Sequence, residues 1–249
     1  MFAGPNPLSK ATVKGQWNGR EDKETGAEIE RKYSPVTDSL GHFDLMIKVY
    51  AAGEKERFPD GGKMSQYLNS LSVGDSIEIA GPAGHVTYLG STPFGASRVK
   101  IGGRTTETTN IGFIAGGTGL TPCLRLINTM LHDASNKTQI ALLFANQTEE
   151  DIFLRKQLDA LADEFPGRFR RWYTLDRPPK DWKFSSGFIN HDMIAEHLPK
   201  SDDEGSPLIM MCGYVSDSAW RRLHVSRTHD AVLVLTSFFF FFLHTDRRQ

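Results

Sequence analysis

The fold is narrowed first by an apolar run that ends in glycines and is followed by a helical pattern. The run TNIGFIA spans 109–115, G-G-T-G follows at 116–119, and PCLRLINTMLHD at 122–133 has apolar residues at helical spacing. A buried strand that enters a helix through a glycine-rich turn predicts one step of a parallel α/β sheet. Thr121 is predicted as the N-cap of this helix and Pro122 as its first residue.

The same alternation continues towards the C-terminus. Further apolar strands are predicted at 139–147, 168–176 and 207–213, and amphipathic helices at 150–165 and 190–198. Strands that alternate with helices predict a parallel sheet with right-handed crossovers. This part of the chain is therefore predicted to be an α/β domain.

The first hundred residues follow a different pattern. Short strands separated by glycine and proline are predicted at 9–17, 42–50, 74–82 and 85–90. In the second of these, Met46 and Lys48 share one face of the strand. The pattern predicts an antiparallel barrel or sandwich, and the polar stretch 95–109 is the predicted boundary between the two domains.

Composition and motifs exclude several classes of function. The formal net charge of -1 gives no reason to expect a nucleic-acid partner. The two cysteines, Cys123 and Cys212, lie far apart without a C-x-x-C motif, and no H-E-x-x-H or G-x-S-x-G motif occurs. We expect no metal site, and the N-terminal residues contain no apolar run suited to a signal peptide or an anchor.

Three stretches contain residues suited to binding a phosphorylated cofactor. The G-G-T-G turn precedes a helix N-terminus, which attracts phosphate, although a tight turn without a ligand explains it equally well. Asp176 ends a predicted strand, where a carboxylate can accept a ribose hydroxyl; a helix cap or surface turn is the competing interpretation. An arginine, a tyrosine and a G-G-K-M-S turn in the β domain can together hold a diphosphate and an aromatic ring.

The order of the motifs makes a family resemblance specific. The chain contains RKYSPV, FDLMIKVY, FPDGGKMSQYL, GPAG, IAGGTGLTP, LLFANQTEEDI, WYTLDRPPKDW and MCG in this order. This series resembles the NADH–cytochrome b5 reductases, which are ferredoxin-reductase-like flavoproteins, from about Thr12 to Gly213. The resemblance implies an antiparallel FAD-binding β-barrel in 1–103, a Rossmann-like NADH-binding α/β domain in 104–213, and a divergent, poorly ordered tail in 214–249.

The resemblance also implies two cofactor sites. The expected FAD site contains Arg31, Lys32, Tyr33, Ser34, Met46, Lys48, Lys63, Met64 and Ser65. The expected NADH site contains Gly116, Gly117, Thr118, Thr121, Asp176, Cys212 and Gly213. Asp176 would select NADH over NADPH, and Lys32 stands where the family usually has proline. Tyr33, Lys48 and Cys212 are the residues expected to act at the reacting rings.

The implied activity is hydride transfer from NADH to FAD, followed by single-electron transfer to a cytochrome b5-like haem protein. A monomer is expected, either soluble or on the cytoplasmic face of the endoplasmic reticulum or outer mitochondrial membrane. Two alternatives remain open: a related flavoprotein with another electron acceptor, and an incomplete remnant that binds flavin or nucleotide without catalysis. A flavin spectrum that bleaches under NADH distinguishes both reductases from the remnant, and reduction of cytochrome b5 compared with ferricyanide alone distinguishes the two reductases.

Two departures from the family pattern bear on these expectations. Only about one strand of sequence precedes Arg31, so the barrel is expected to lack its first strands. After Gly213 the family pattern ends, and the hypothesis for the residues from about Tyr214 onwards is altered splicing, a frameshift or a gene-model error. The tail contains the run AVLVLTSFFFFFL at 231–243, which is shorter than the roughly 20 residues that a spanning helix needs. We interpret it as a replacement of the segment that covers the nicotinamide site.

Overall fold

The computed structural model describes residues 29, 31–39, 41–54, 56, 58–200, 207–213, 232–235 and 240–244. Two compact units are present. The first unit lies within Met1–Ala83 and Phe239–Gln249, and the second unit lies within Gly84–Phe238. The strand predicted at 9–17 lies outside the described residues. No helix in the described ranges is both long and apolar enough to cross a membrane.

A parallel sheet forms the centre of the second unit. Its strands in spatial order are β11 (Ser185–Ser186), β10 (Phe169–Leu175), β9 (Gln139–Asn146), β8 (Asn110–Gly116), β12 (Leu208–Gly213) and β13 (Val232–Leu235). All neighbouring pairs are parallel. Strands β8, β9, β10 and β12 lie where the apolar runs predict them, so the α/β fold class is confirmed.

The helices of the second unit cover both faces of this sheet. The chain moves in one direction from β8 to β10 through α2 (Leu120–His132) and α3 (Arg155–Glu164), so right-handed crossovers place both helices on one face. It then returns past β8 to β12 after α4 (His191–His197), which places α4 on the opposite face. Ile114, Leu143 and Ile209 form a buried cluster with Met193 of α4 on that face.

The reversal of strand order is what positions a ligand site. Strand order changes direction between β8 and β12, and the carboxyl ends of these two strands are paired through Gly116 and Gly213. Open α/β sheets bind ligands outside the carboxyl ends of the strands at such a switch point. The residues at the carboxyl ends of β8, β9, β10 and β12 therefore lie where a ligand is expected to bind.

The first unit is built from short antiparallel strands. One sheet has the order β1 (Arg31–Tyr33), β14 (Phe240–His244) and β4 (Glu78–Ala83), and a second contains β2 (Pro35–Ser39) and β3 (His42–Leu45). Helix α1 (Lys63–Ser70) contributes Met64 and Tyr67 to a small core with Ile29. These antiparallel sheets confirm the predicted β class of this part of the chain.

A third antiparallel sheet belongs to the second unit. It contains β5 (Val86–Ser91), β6 (Ser97–Ile101) and β7 (Arg104–Thr108). The Tyr88 hydroxyl donates to Asp133 Oδ2 at 2.6 Å and accepts from Asn136 Nδ2 at 2.7 Å. Asn136 Nδ2 also donates to Ser97 Oγ at 2.8 Å, so a buried polar network joins this sheet to the loop after α2.

Two features of the fold differ from the sequence expectations. The polar stretch 95–109, predicted as a domain boundary, forms the β6–β7 hairpin of the second unit. Strand β3 ends at Leu45, so the prediction that Met46 and Lys48 lie within a strand is wrong. The pattern there is misleading because alternating apolar residues can be half-buried without pairing to a neighbouring strand.

The tail after Gly213 contributes strands to both units. Strand β13 pairs with β12, and β14, which contains three of the consecutive phenylalanines, lies between β1 and β4. The sequence provides no basis for either pairing, since each strand contacts residues far away along the chain. The rest of this tail lies outside the described residues, and its predicted poor order stays a prediction.

Candidate functional site

The predicted glycine turn lies at the carboxyl edge of the parallel sheet in the second unit. Strand β8 ends at Gly116, a 3-10 turn covers Gly117–Gly119, and α2 begins at Leu120. Gly117 has a φ of 52°, which favours glycine because an L side chain is strained there. Thr118 is exposed beside it. The Leu120 N–H donates to the Gly117 and Thr118 carbonyl oxygens, and no side chain caps the N–H groups that follow in the first turn of α2.

Close backbone packing fixes the turn against the end of β12. A Cβ atom built on Gly119 would lie 2.2 Å from the Cys212 carbonyl oxygen, and one on Gly213 would lie 2.1 Å from the Gly116 carbonyl oxygen. No side chain fits at either position without moving the backbone. The structure thus brings together the predicted residues of the glycine turn and of the Cys212–Gly213 strand end.

The predicted capping of α2 is wrong. Gly119 is the N-cap, with helical φ and ψ of -64° and -7°, and no side chain caps the helix. Thr121 lies inside the first turn, where its hydroxyl donates to the Thr118 carbonyl oxygen at 3.2 Å. The 3-10 turn leads directly into the helix, so the helical backbone begins before the Thr-Pro pair. Pro122 is tolerated in the first turn of α2, where the Thr118 carbonyl oxygen that its N–H would reach accepts instead from the Thr121 hydroxyl.

The ends of β9 and β10 form the other side of this edge. The backbone N–H of Asp176 donates to the Asn146 carbonyl oxygen at 3.1 Å. The Asp176 side chain is exposed, and desolvation raises the pKa of its carboxyl from the ordinary value, although the charge of Arg177 acts in the opposite direction. Asp176 is therefore placed where a carboxylate can reach a ribose.

Asn146 is a residue of this edge that the sequence analysis missed. It is the last residue of β9 and only 7% exposed, and its Nδ2 atom is buried without a hydrogen-bond partner. The signal that could have identified it is a polar residue at the end of an apolar strand. The same signal singles out Asp176.

The two cysteines differ in environment. Cys123 is buried, and its thiol donates to the Gly119 carbonyl oxygen at 3.4 Å. Burial raises the pKa of this thiol well above its ordinary value, so Cys123 stays protonated and packs as a small apolar residue. Cys212 forms no disulfide and is partly exposed near the end of β12, so it is the one of the two that reaches the edge of the sheet.

The candidate flavin residues lie in the first unit on β1 and at the start of α1. Arg31 and Tyr33 are partly buried on one face of β1, and Lys32 is exposed on the other. Tyr33 packs against the core cluster that contains Met64 of α1. The structure therefore brings together the RKYS and GGKMS motifs. Ser34, only 5% exposed, follows Tyr33 directly.

The glycines of the turn before α1 allow its backbone to pack closely against Tyr50 and Ala51. A Cβ atom built on Gly61 would lie 2.4 Å from the Tyr50 carbonyl oxygen, and Gly61 has a φ of 68°. The Ser65 hydroxyl accepts from the Tyr50 N–H at 3.1 Å and donates to the Gly62 carbonyl oxygen at 3.0 Å. Ser65 thus holds the turn, and no side chain caps α1, so this helix N-terminus fits a phosphate group.

The ionisation of Tyr33 limits its role. Burial raises the pKa of its phenol to about 12, although the charge of Arg31 acts in the opposite direction. The phenol is therefore neutral at physiological pH. It can pack against a ring or donate a hydrogen bond, but it cannot serve as a general base.

Two further observations concern other kinds of site. The described residues contain no group of three or more histidine, cysteine or acidic residues placed to hold a metal ion.

A cavity of about 530 Å³ lies at the amino ends of β8, β9 and β10 and is lined by Arg168, Arg170 and Lys200 among others. It lies at the edge of the sheet opposite the glycine turn, so it is separate from the candidate nucleotide site.

Comparison with protein families matches both units. The Oxidoreductase FAD-binding domain family matches residues 15–88, and the Oxidoreductase NAD-binding domain family matches residues 113–216. The fold and its two glycine-lined sites therefore define a chain of the FAD- and NAD-binding oxidoreductase class. Strands β1 to β4 fall within the first match, and strands β9 to β12 fall within the second.

Individual relatives narrow this class to one family. The chain is 48% identical over 191 residues to NADH-cytochrome b5 reductase 1 of Bos taurus, covering 76% of this chain and 62% of the relative. It is 47% identical to NADH-cytochrome b5 reductase 2 of Mus musculus, covering 74% and 67%. The chain belongs to the NADH-cytochrome b5 reductase family, although it spans about three fifths of the length of the bovine relative.

A solved structure agrees with this assignment. The cytochrome b5 reductase domain of Ulva prolifera nitrate reductase superposes with a TM-score of 0.71 at 38% identity. The match covers 82% of this chain and 78% of that domain.

Proposed function

We propose that the chain is an NADH-dependent flavin oxidoreductase that passes electrons to a cytochrome b5-like haem protein. The observation that carries the proposal is the packing of the Gly116–Gly119 turn against Cys212 and Gly213 at the switch point of the parallel sheet. This edge presents a helix N-terminus without a capping side chain next to a partly exposed cysteine. Such an arrangement suits a dinucleotide with a diphosphate at one end and a reactive ring at the other.

In the second unit the residues bind and orient the nucleotide. Gly117 and Thr118 are the residues of the turn that contact the diphosphate. Asp176 accepts a hydrogen bond from the ribose 2′-hydroxyl. The Asp176 carboxylate repels a 2′-phosphate, so NADH is favoured over NADPH. Cys212 positions the nicotinamide ring by contact, without acting as a nucleophile.

In the first unit the residues hold the flavin. The first backbone N–H groups of α1 bind the diphosphate, and Arg31 adds a charge-assisted hydrogen bond. Tyr33, as a neutral phenol, packs on the ring system. Lys48 is exposed beyond the end of β3, where it can attract the anionic nucleotide.

Bound FAD supplies the redox chemistry, because it accepts a hydride from NADH and releases electrons singly to a haem acceptor. The protein contributes orientation and electrostatics, and it excludes water from the reacting rings. The cytochrome b5-like acceptor is proposed from the names of the relatives. A position at a membrane surface stays a prediction.

Two measurements on the purified full chain test the proposal. A flavin absorption spectrum that bleaches when NADH is added without oxygen is the expected result. A chain that binds no FAD, or FAD that NADH does not reduce, contradicts the proposal and favours a non-catalytic remnant. Reduction of cytochrome b5 is then compared with reduction of ferricyanide. Activity with ferricyanide alone contradicts the proposed acceptor while leaving the flavin oxidoreductase in place.

A further inference from the structure

Asn146 carries an unsatisfied buried donor at the edge where the nucleotide is proposed to bind. Its Nδ2 atom has no hydrogen-bond partner, and the residue is 7% exposed. Leaving a buried donor unsatisfied destabilises the folded protein. Unpaired groups of this kind are rare in folded proteins, so this one requires an explanation.

The position of Asn146 connects it with the glycine turn. Ala145 pairs with Gly116 at the end of β8, and Asn146 pairs with Leu175, which precedes Asp176. Asn146 therefore lies between the strand end that carries the turn and the strand end that carries the proposed ribose acceptor.

The side chain also lies on the appropriate face of the sheet. Successive side chains of a strand alternate between faces, so Asn146 shares a face with Phe144. Phe144 packs edge-on against Phe153, in the segment that leads into α3. This face is covered by α2 and α3, so Asn146 lies on the side of the N-terminus of α2.

Another buried asparagine of the same unit, Asn136, has hydrogen-bond acceptors for its amide, unlike Asn146. Asn136 is 2% exposed, and its Nδ2 atom donates both to the Tyr88 hydroxyl and to Ser97 Oγ. The fold satisfies that amide completely, whereas it leaves Asn146 Nδ2 without an acceptor.

We propose that Asn146 is a binding residue for the nucleotide and donates a hydrogen bond to an oxygen of its adenosine diphosphate-ribose half. The inference rests on the proposed function, since it assigns a new residue to the same site. The amide reaches this oxygen by rotating about its last side-chain bond when the nucleotide occupies the crevice. The donor is thus unsatisfied in the free protein and satisfied in the complex.

The test compares two asparagine variants by binding and by stability. Asn146→Leu removes the polar atoms at similar volume, and Asn136→Leu is the matched control. The probe is ADP-ribose, titrated calorimetrically at a temperature where each variant is folded. We expect Asn146→Leu to raise the Kd for ADP-ribose about tenfold, which corresponds to about 1.4 kcal/mol. Its thermal midpoint without ligand should be unchanged or higher, because the unsatisfied donor is gone.

The control variant should lose thermal stability without losing affinity for ADP-ribose. Asn136→Leu should lower the thermal midpoint and leave the Kd for ADP-ribose within twofold of the original. If Asn146→Leu leaves the Kd within twofold, the proposal is overturned and Asn146 has no role in binding. Asn146→Asp, which keeps the shape but loses the donor, must also raise the Kd; an unchanged value overturns the proposal even if the leucine variant fails to fold.

This experiment is independent of the redox reaction. ADP-ribose lacks the nicotinamide ring, so its binding requires neither flavin reduction nor a haem acceptor. Wild-type chain that binds ADP-ribose but does not reduce flavin contradicts the proposed function and leaves the role of Asn146 testable. Wild-type chain that does not bind ADP-ribose overturns the inference itself.

Discussion

Removal of strand β14 tests how the first unit is held together. Ending the chain after Leu235 deletes β14 and keeps β13, which pairs within the parallel sheet. Strand β14 lies between β1 and β4, so its loss leaves both neighbours with unpaired backbone groups. We expect the first unit to open while the second unit keeps its fold.

The size of the effect follows from the strand register. Strand β14 pairs three of its residues with β1 and four with β4, with an irregularity between Phe240 and Phe242. An antiparallel ladder averages about one hydrogen bond per pair, each with a net value of about 1 kcal/mol. The seven pairs thus stabilise the unit by about 7 kcal/mol, against about 5–15 kcal/mol for a typical folded domain.

Hydrogen exchange of peptides that contain β1 and β4 is the direct assay, and bound FAD per chain is the second. A milder variant, Phe242→Pro, acts at the residue that pairs with both Lys32 and Ala80. Proline removes one ladder donor and strains the strand. The free energy of opening the sheet should therefore fall by about 1.4 kcal/mol, and the amides of β1 and β4 should exchange about tenfold faster. Phe242→Val, which retains the donor and a strand-forming side chain, is the control.

Unchanged protection of both strands in the truncated chain would refute this reasoning. It would mean that β1 and β4 are stabilised without β14. Better solubility after truncation would not decide the question, because removing an apolar segment improves solubility in either case.

Other perturbations test the second unit. Asp176→Ala should relax the preference for NADH over NADPH, measured as the ratio of the two kcat/KM values; an unchanged ratio would remove the ribose role. Gly119→Ala should abolish ADP-ribose binding or unfold the edge of the sheet, since its Cβ would overlap the Cys212 carbonyl; a functional variant with wild-type affinity would show that the turn is not tightly packed. Tyr88→Phe should lower the free energy of unfolding by about 1–3 kcal/mol in urea titrations, and a change under 0.5 kcal/mol would contradict this. Hydrogen bonds from Ser135 and from Tyr88 lower the pKa of Asp133 to about 2 in the folded state. Its stabilisation should therefore be complete above about pH 4 and be lost as the pH falls towards about 2, with a smaller loss in Tyr88→Phe.

Periodicity in the sequence was sufficient for most of the second unit. The apolar run before G-G-T-G became β8, and the helical spacing after it became α2, because local burial patterns reflect the faces that pack. The cap at Thr121 was misplaced, since the sequence does not show that a 3-10 turn continues into the helix. The β6–β7 hairpin was missed because its residues are polar and its pairing partners are set by the turn at Gly102 and Gly103.

The parallel sheet, the glycine turn and the acid after a strand could be predicted from the residues alone, because each depends on neighbouring residues and on local backbone chemistry. The three-dimensional structure was needed to show that β14 joins the sheet of the first unit and that Asn146 Nδ2 lacks a partner. Strand pairing over two hundred residues and the satisfaction of a buried amide depend on which distant groups meet in space. The periodicity of apolar residues does not show which distant residues pair or form hydrogen bonds.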